Sequence, residues 1–192
     1  MNNAILIHGR PDKDEYYDPA FPSASNSHWF PWLTKQLMLH DIFTVAPEIP
    51  RPWQPRYDIW KQELERFDIT SDTILVGHSC GGGFIIRWLS ENKTRTVEKV
   101  ILVAPWLNPE HNPISDTADF FDFEIDPTLA ERTNSITIFH SDNDMKTIHT
   151  SVQILKQNIR GVAYKEFHNY GHFCYNDLKK YEFPELLNEI LK

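Results

Sequence analysis

Residues 73–89 read TILVGHSCGGGFIIRWL, and this stretch decides the interpretation of the whole chain. A β-branched, apolar run ends at Gly77, Ser79 follows, and an apolar pattern with helical spacing comes after three glycines. Residues 77–81 fit G-x-S-x-G, in which the serine occupies a strained strand-to-helix turn that exposes its hydroxyl. The helix that begins there points unpaired N–H groups toward developing negative charge. We therefore interpret Ser79 as a candidate nucleophile.

Apolar runs and helical patterns alternate along the rest of the chain. Most of the runs are continuous, without a period of two, as is typical of strands covered on both faces. This alternation predicts an α/β fold with about six parallel strands joined by right-handed crossovers. With no internal repeat or linker, residues 1–192 are predicted to form one domain. The predicted strands are 4–8, 42–46, 73–76, 100–104, 135–140 and 162–167.

Composition excludes several classes of function. The net charge is −8, without a cluster of Lys and Arg, which argues against nucleic acid or an anionic membrane as a partner. The longest apolar run is far shorter than a bilayer span, and the N-terminus has the pattern of a strand rather than of a signal peptide. Cys80 and Cys174 are the only cysteines, and no zinc-ligand spacing occurs. We expect reduced thiols in a cytoplasmic protein that binds no metal and no cofactor.

A serine hydroxyl is a poor nucleophile near neutral pH, so it needs a base that a carboxylate holds in the right tautomer. In the arrangement typical of this serine turn, the acid and then the histidine follow later strands. The fifth predicted strand is followed by Asp142 and Asp144, and either could be the acid. The sixth is followed by His168 and His172. His172 is the better candidate base, because it lies on a loop free of the strand.

Short segments spread along the chain carry a family resemblance. They are HG at 8–9, HWFPWL at 28–33, IW at 59–60, VGHS at 76–79 and GHF at 171–173. On these segments the chain resembles the α/β-hydrolase superfamily, specifically the small serine hydrolases related to retinoblastoma-binding protein nine. The resemblance implies a three-layer α/β/α sandwich without a large lid domain. It also selects Asp144, because the family's acid loop has the form Ser-x-x-Asp, and Ser141 stands three residues earlier.

The chain departs from this family after the first strand, where Arg10 and Pro11 replace glycine-rich residues. The backbone N–H of Cys80, the residue after the nucleophile, is one expected donor to an oxyanion. Because Pro11 has no N–H, Arg10 is the predicted second donor. The predicted substrate-binding residues are Gly9, His78 and Trp106.

The leading hypothesis is a serine hydrolase of the carboxylesterase type, acting on a small ester or related acyl substrate. One alternative is a hydrolase-fold module that holds a protein partner with little turnover. Another is thiol chemistry at Cys80, whose side chain we expect to turn away from the site. The long connection 105–133 is rich in aromatic residues, so it could cover the site or simply pack against the body.

Overall fold

The computed structural model describes residues 2–110 and 119–192 of the protein. Its centre is a sheet of six strands in the order β2-β1-β3-β4-β5-β6. Every neighbouring pair is parallel. The prediction of about six parallel strands is therefore confirmed. The strands are β1 Asn3–Ile7, β2 Phe43–Val45, β3 Thr73–His78, β4 Val97–Val103, β5 Thr133–Ser141 and β6 Ala163–Phe167.

The strand order reverses direction between β1 and β3. The chain leaves β1 toward β2 at one edge, and then returns across β1 to build the other strands outward from β3. The loops that follow β1 and β3 consequently diverge to opposite faces of the sheet. This divergence leaves a crevice at the carboxyl ends of the strands, where open α/β sheets bind their ligands.

Helices cover both faces of the sheet and complete a three-layer α/β/α sandwich. Helix α2 contacts α7 on one face, and α3 contacts α4 on the other. None of the helices in the described part of the chain is long and apolar enough to cross a membrane. The α-helices are α1 Lys13–Tyr17, α2 Phe30–Leu39, α3 Tyr57–Leu64, α4 Cys80–Glu91, α5 Lys146–Asn158, α6 Tyr175–Leu178 and α7 Pro184–Leu191, with 3₁₀ turns at Ala24–Asn26 and Leu129–Arg132.

The core lies in two layers, one on each side of the sheet. Under α3 and α4, the rings of Trp60 and Phe84 lie 5.5 Å apart and are both fully buried. Under α2, Trp29 stacks on Phe30 at 4.3 Å and also contacts Phe183, the residue before α7. Large aromatic side chains bury much apolar area each, so these two clusters fix both helical layers to the sheet.

Strand boundaries differ from the predicted ones mainly at the amino ends of β4 and β5. Both strands begin two or three residues before the apolar run, and Val97 pairs with Thr133 there. Backbone hydrogen bonds form this part of the ladder whatever the side chains are, so the hydropathy pattern did not reveal it. Three short helices, α1, α6 and the turn Ala24–Asn26, were also not predicted.

Helix α4 packs unusually close to strand β1. A Cβ atom added at Gly81 would lie 2.3 Å from the carbonyl oxygen of Ile7 and 2.5 Å from that of His8. A Cβ atom added at Gly77 would similarly lie 2.7 Å from the carbonyl oxygen of Gly81. Only glycine allows backbone to approach backbone at these distances. The glycines on both sides of Ser79 therefore determine how deeply α4 sits on the sheet.

We expect Gly81→Ala to destabilise the fold by about 3 kcal/mol or more, because a buried strand carbonyl must move to admit the methyl group. Gly82→Ala is the matched control, since its Cβ would approach nothing closer than 3.0 Å, at the Pro105 side chain, and would lie 3.4 Å from the nearest strand carbonyl. It should cost only about 1 kcal/mol. Urea unfolding followed by circular dichroism measures both, and equal losses would contradict this account of the packing.

Candidate active site

Ser79 occupies a strained backbone conformation between β3 and α4. Its φ is 53° and its ψ is −119°. A positive φ is uncommon for a residue other than glycine, and such positions cost about 1–3 kcal/mol each. Its N–H donates to the carbonyl of Val103 at 2.9 Å, and its own carbonyl accepts from Trp106 and Gly82 at 3.0 Å each. These hydrogen bonds hold a strand-to-helix turn at the predicted position, and Ser79 is half-buried there.

The loops after β5 and β6 form two separate acid–histidine pairs. His172 Nδ1 lies 3.0 Å from Asp144 Oδ1 and 3.1 Å from Asp144 Oδ2. The Asp144 side chain is fully buried, and that of His172 is 20% exposed. His168 Nδ1 lies 2.8 Å from Asp142 Oδ2, but these side chains are 75% and 41% exposed. Of the two acids that the sequence left open, Asp144 therefore accompanies the histidine facing the site.

Three side chains fix the histidine loop, and two of them, Asn143 and Asp177, were not predicted as site residues. Asn143 Oδ1 accepts from the N–H of Gly171 at 2.8 Å, which ties the acid loop to the histidine loop. Asp177 Oδ2 accepts from the N–H of His172 at 3.0 Å. His78 Nε2 donates to the carbonyl of His172 at 2.8 Å. Two of these contacts hold the His172 backbone and one holds that of Gly171, and no local sequence pattern predicts them.

A cavity of about 520 Å³ opens beside Ser79 and His172. Its lining includes the predicted site residues Gly9, Arg10 and His78. A Cβ at Gly9 would lie 3.1 Å from the Cβ of Ser79, so a glycine is needed for this close approach. His78 is buried, and its burial lowers the pKa of the imidazole, which stays neutral near pH 7.

Trp106 does not lie where it was expected. It is absent from the described lining of the cavity, and its ring packs against Phe121 with centroids 5.1 Å apart. The backbone rather than the indole of Trp106 contacts the serine turn. The side chain follows an apolar partner away from the cavity, so the structure does not support a substrate contact for it.

Arg10, the predicted second donor, lines the cavity. Its side chain does not extend freely into the mouth, because Nε donates to the carbonyl of Trp53 at 2.9 Å. The backbone N–H groups of Arg10 and Cys80 have no acceptor among residues 2–110 and 119–192. His8 Nδ1 lies 2.7 Å from the Gly9 carbonyl, and His8 Nε2 accepts from the N–H of Ile49 at 3.0 Å. The ring of His8 therefore links the Gly9 carbonyl, in the loop after β1, to the backbone of Ile49.

Comparison with known proteins adds an independent observation. The family model described as serine hydrolase matches residues 18–180. The chain belongs to the serine hydrolase family. YdeN, a Bacillus subtilis (strain 168) protein named as a hydrolase, is 28% identical to it over 167 residues, which cover 84% of this chain and 86% of YdeN.

Solved structures of other proteins share the fold of this serine hydrolase. The crystal structure of the ydeN gene product from B. subtilis has a TM-score of 0.79 at 24% identity, covering 100% of this chain and 97% of that one. Est1E from Butyrivibrio proteoclasticus, solved with ferulic acid bound, has a TM-score of 0.68 at 12% identity, with coverages of 100% and 88%. The predicted α/β-hydrolase fold is thus confirmed.

In this serine hydrolase a short segment near the N-terminus, rather than a large domain, covers the cavity. Residues 11, 15–19 and 21–24 line it, and they include much of α1. The rings of Tyr16 and Tyr17 lie 4.3 and 5.1 Å from that of Trp53. None of the described residues of the connection 105–133 lines the cavity, and residues 111–118 lie outside the described chain. Of the two roles left open for that connection, its described residues show packing against the body, with the fully buried Phe120 ring 5.2 Å from that of Trp60.

Neither cysteine of this serine hydrolase has the environment of a reactive thiol. Cys80 is fully buried, and burial raises its pKa well above the ordinary range. Burial, with a contribution from Asp177, raises the pKa of Cys174 to about 12. The thiolate is the reactive form, so both groups are inert near neutral pH. Among the described residues, no group of three or more His, Cys, Asp or Glu side chains is arranged to hold a metal ion.

The two acid–histidine pairs should be separable by NMR. The hydrogen bond to Asp142 raises the pKa of His168 above its ordinary value. We expect Asp142→Asn to return the His168 pKa to about 6.5, and Asp144→Asn to leave it unchanged. Because the folded pKa is raised, the pair stabilises the fold below about pH 6.5, and its contribution disappears as pH rises through the folded pKa. A His168 pKa that follows Asp144 would contradict the pairing described here.

Proposed function

We propose that this serine hydrolase cleaves small carboxylic esters through a triad of Ser79, His172 and Asp144. The observation that supports this most strongly is the buried Asp144–His172 pair, which opens on the same cavity as the strained serine turn. A carboxylate buried beside an imidazole can fix the ring's tautomer and stabilise its charged form, and Asp144 is itself held by the N–H of Met145 at 2.7 Å. Est1E, which shares the fold, binds ferulic acid, a carboxylic acid of the kind that ester hydrolysis releases.

The first step of the proposed reaction is attack by the serine. Because His172 Nδ1–H donates to Asp144, the lone pair of the neutral ring is on Nε2. That nitrogen takes the proton from Ser79 Oγ while the oxygen forms a bond to the ester carbonyl carbon. The carbonyl π electrons move onto its oxygen, which becomes an oxyanion. Asp144 stabilises the imidazolium that results, without itself becoming protonated.

Two backbone N–H groups would bind this oxyanion. Cys80 is the first residue of α4, so its N–H has no acceptor within the helix. The carbonyl and the N–H of a trans peptide point in opposite directions. The hydrogen bond from His8 to the Gly9 carbonyl therefore also fixes the direction of the Arg10 N–H. Each such donor contributes about 3 kcal/mol to stabilising the transition state in enzymes where it has been removed.

The remaining steps regenerate the enzyme. The imidazolium of His172 donates its proton to the alcohol oxygen, the ester C–O bond breaks, and an acyl group stays on Ser79. Water then attacks the acyl carbon as His172 removes its proton. The second tetrahedral species collapses by the same proton transfer in reverse, so Ser79 recovers its hydroxyl and the carboxylic acid leaves.

Kinetics of paired variants test the proposal. With p-nitrophenyl acetate as substrate, Ser79→Ala should lower kcat/KM by at least about 10⁴-fold, and Asp144→Asn by roughly 10²- to 10⁴-fold. Asp142→Asn is the matched control on the same loop, and it should stay within about twofold of the wild type, since exposed pairs contribute little. Equal losses for the two aspartate variants, or full activity in Ser79→Ala, would refute this triad. No turnover of any ester by the folded wild type would favour the protein-binding alternative.

Alkylation tests the thiol alternative. We expect iodoacetamide at pH 7.5 to leave both cysteines of the native protein unmodified, because burial raises both thiol pKa values. Both should react once guanidinium chloride unfolds the chain. Intact-protein mass spectrometry measures the modification. Rapid alkylation of native Cys80 with parallel loss of esterase activity would support thiol chemistry instead.

A further inference from the structure

His28 is a strained, half-buried residue in the wall of the same cavity. Its φ is 58°, in the left-handed region that is uncommon for residues other than glycine, although Asn, Asp and His enter it more often than the rest. It lies between the 3₁₀ turn Ala24–Asn26 and helix α2, and both of its neighbours, Ser27 and Trp29, are buried. Backbone strain of this kind persists only where the surroundings enforce it, and it often occurs at functional sites. The proposed reaction gives His28 no role.

The tautomer of His28 follows from its contact with the far end of the chain. The backbone N–H of Tyr175 donates to His28 Nδ1 at 3.2 Å. Since that nitrogen accepts a hydrogen bond, the neutral ring must carry its proton on Nε2. No acceptor in the described parts of the chain, residues 2–110 and 119–192, takes a hydrogen bond from that N–H. His28 lines the cavity, so the wall includes one N–H donor whose tautomer is fixed and from which no described residue accepts.

The donor is neutral at the pH where a hydrolase would work. Burial and, to a smaller extent, the nearby His172 together lower the pKa of His28 to about 4, against the opposing effect of Asp177. The ring of His78, 5.9 Å away, also faces it. A neutral N–H can donate to a neutral or to an anionic oxygen, so the other groups of the cavity decide which substrate charge is favoured. Three carboxyl groups line the same cavity and disfavour an anionic substrate, and they belong to Glu15, Asp18 and Glu48. Arg10 also lines it, but its Nε–H donates to the carbonyl of Trp53.

We propose that His28 is a specificity-determining residue whose Nε2–H binds a second, neutral oxygen of the substrate. This inference rests on the proposed ester hydrolysis and names the class of ester. The preferred substrates carry an ether, hydroxyl or carbonyl oxygen in addition to the ester group. An ester whose acyl chain is purely hydrocarbon cannot accept a hydrogen bond from His28 Nε2–H. Binding it would leave this donor without a partner, and sites with a buried donor discriminate against substrates that lack the matching acceptor.

A pair of matched esters tests the proposal. The acyl chains of p-nitrophenyl methoxyacetate and p-nitrophenyl butyrate have the same shape, and an ether oxygen in one replaces a methylene in the other. The ratio of their kcat/KM values is measured in the wild type, His28→Asn and His28→Gln. Because the esters differ in intrinsic reactivity by the same factor for every variant, the change in the ratio isolates the contact of the protein with the ether oxygen.

We expect the methoxyacetate-to-butyrate ratio to fall about tenfold in His28→Asn, whose shorter amide cannot reach the same point. His28→Gln, whose amide N–H reaches further, should recover part of the loss. Asparagine tolerates a positive φ well, so His28→Asn should fold, and circular dichroism and thermal melting check this. A ratio that stays within twofold of the wild type in folded His28→Asn would overturn the inference while leaving ester hydrolysis intact.

A second measurement uses only the wild type. Methoxyacetamide should inhibit p-nitrophenyl acetate hydrolysis with a Ki about tenfold lower than that of butyramide, because only the former has the second acceptor. Equal or weaker inhibition by methoxyacetamide would also overturn the role of His28. If the wild type hydrolyses none of these esters, the proposed function itself fails, and that outcome is distinct from a change in selectivity.

Discussion

The close approach of helix α4 to strand β1 is the constraint on which the rest of the structure depends. Gly81 lies directly against the carbonyl groups of Ile7 and His8, where any side chain would collide with backbone. Because of this approach, the first turn of α4, the end of β3 and the loop after β1 lie next to one another. Ser79 can hold a φ of 53° only because its N–H and carbonyl are bonded to the neighbouring connections. The strain is thus maintained by packing outside the turn.

The rest of the site is assembled from loops whose hydrogen bonds cross long sequence distances. Asn143 joins the acid loop to the histidine loop, and His78, next to the serine, holds the His172 carbonyl. The cover comes from residues near the N-terminus, and Tyr175 near the C-terminus holds His28. The sheet edge thus carries the proposed triad, and the segment near the N-terminus and His28 line the cavity beside it.

Much of the fold could be predicted from sequence because burial leaves a periodic record. The six strands and the helices that pack on them bury apolar faces, and the pattern around Ser79 combines a strand end, glycines and a helix start. Helix α1 was missed because it buries no residue and so has no apolar period. The position of Trp106 and the choice between Asp142 and Asp144 depend on tertiary contacts. For the acid, only a family resemblance gave an expectation.

The most direct test of the account is a crystal structure of the protein after reaction with a fluorophosphonate. The proposed chemistry predicts a covalent bond from phosphorus to Ser79 Oγ. It also predicts a phosphoryl oxygen about 3 Å from the backbone nitrogens of both Cys80 and Arg10, with His172 still paired to Asp144. An unmodified Ser79, phosphorus attached to a different residue, or a phosphoryl oxygen turned away from both N–H groups would contradict it.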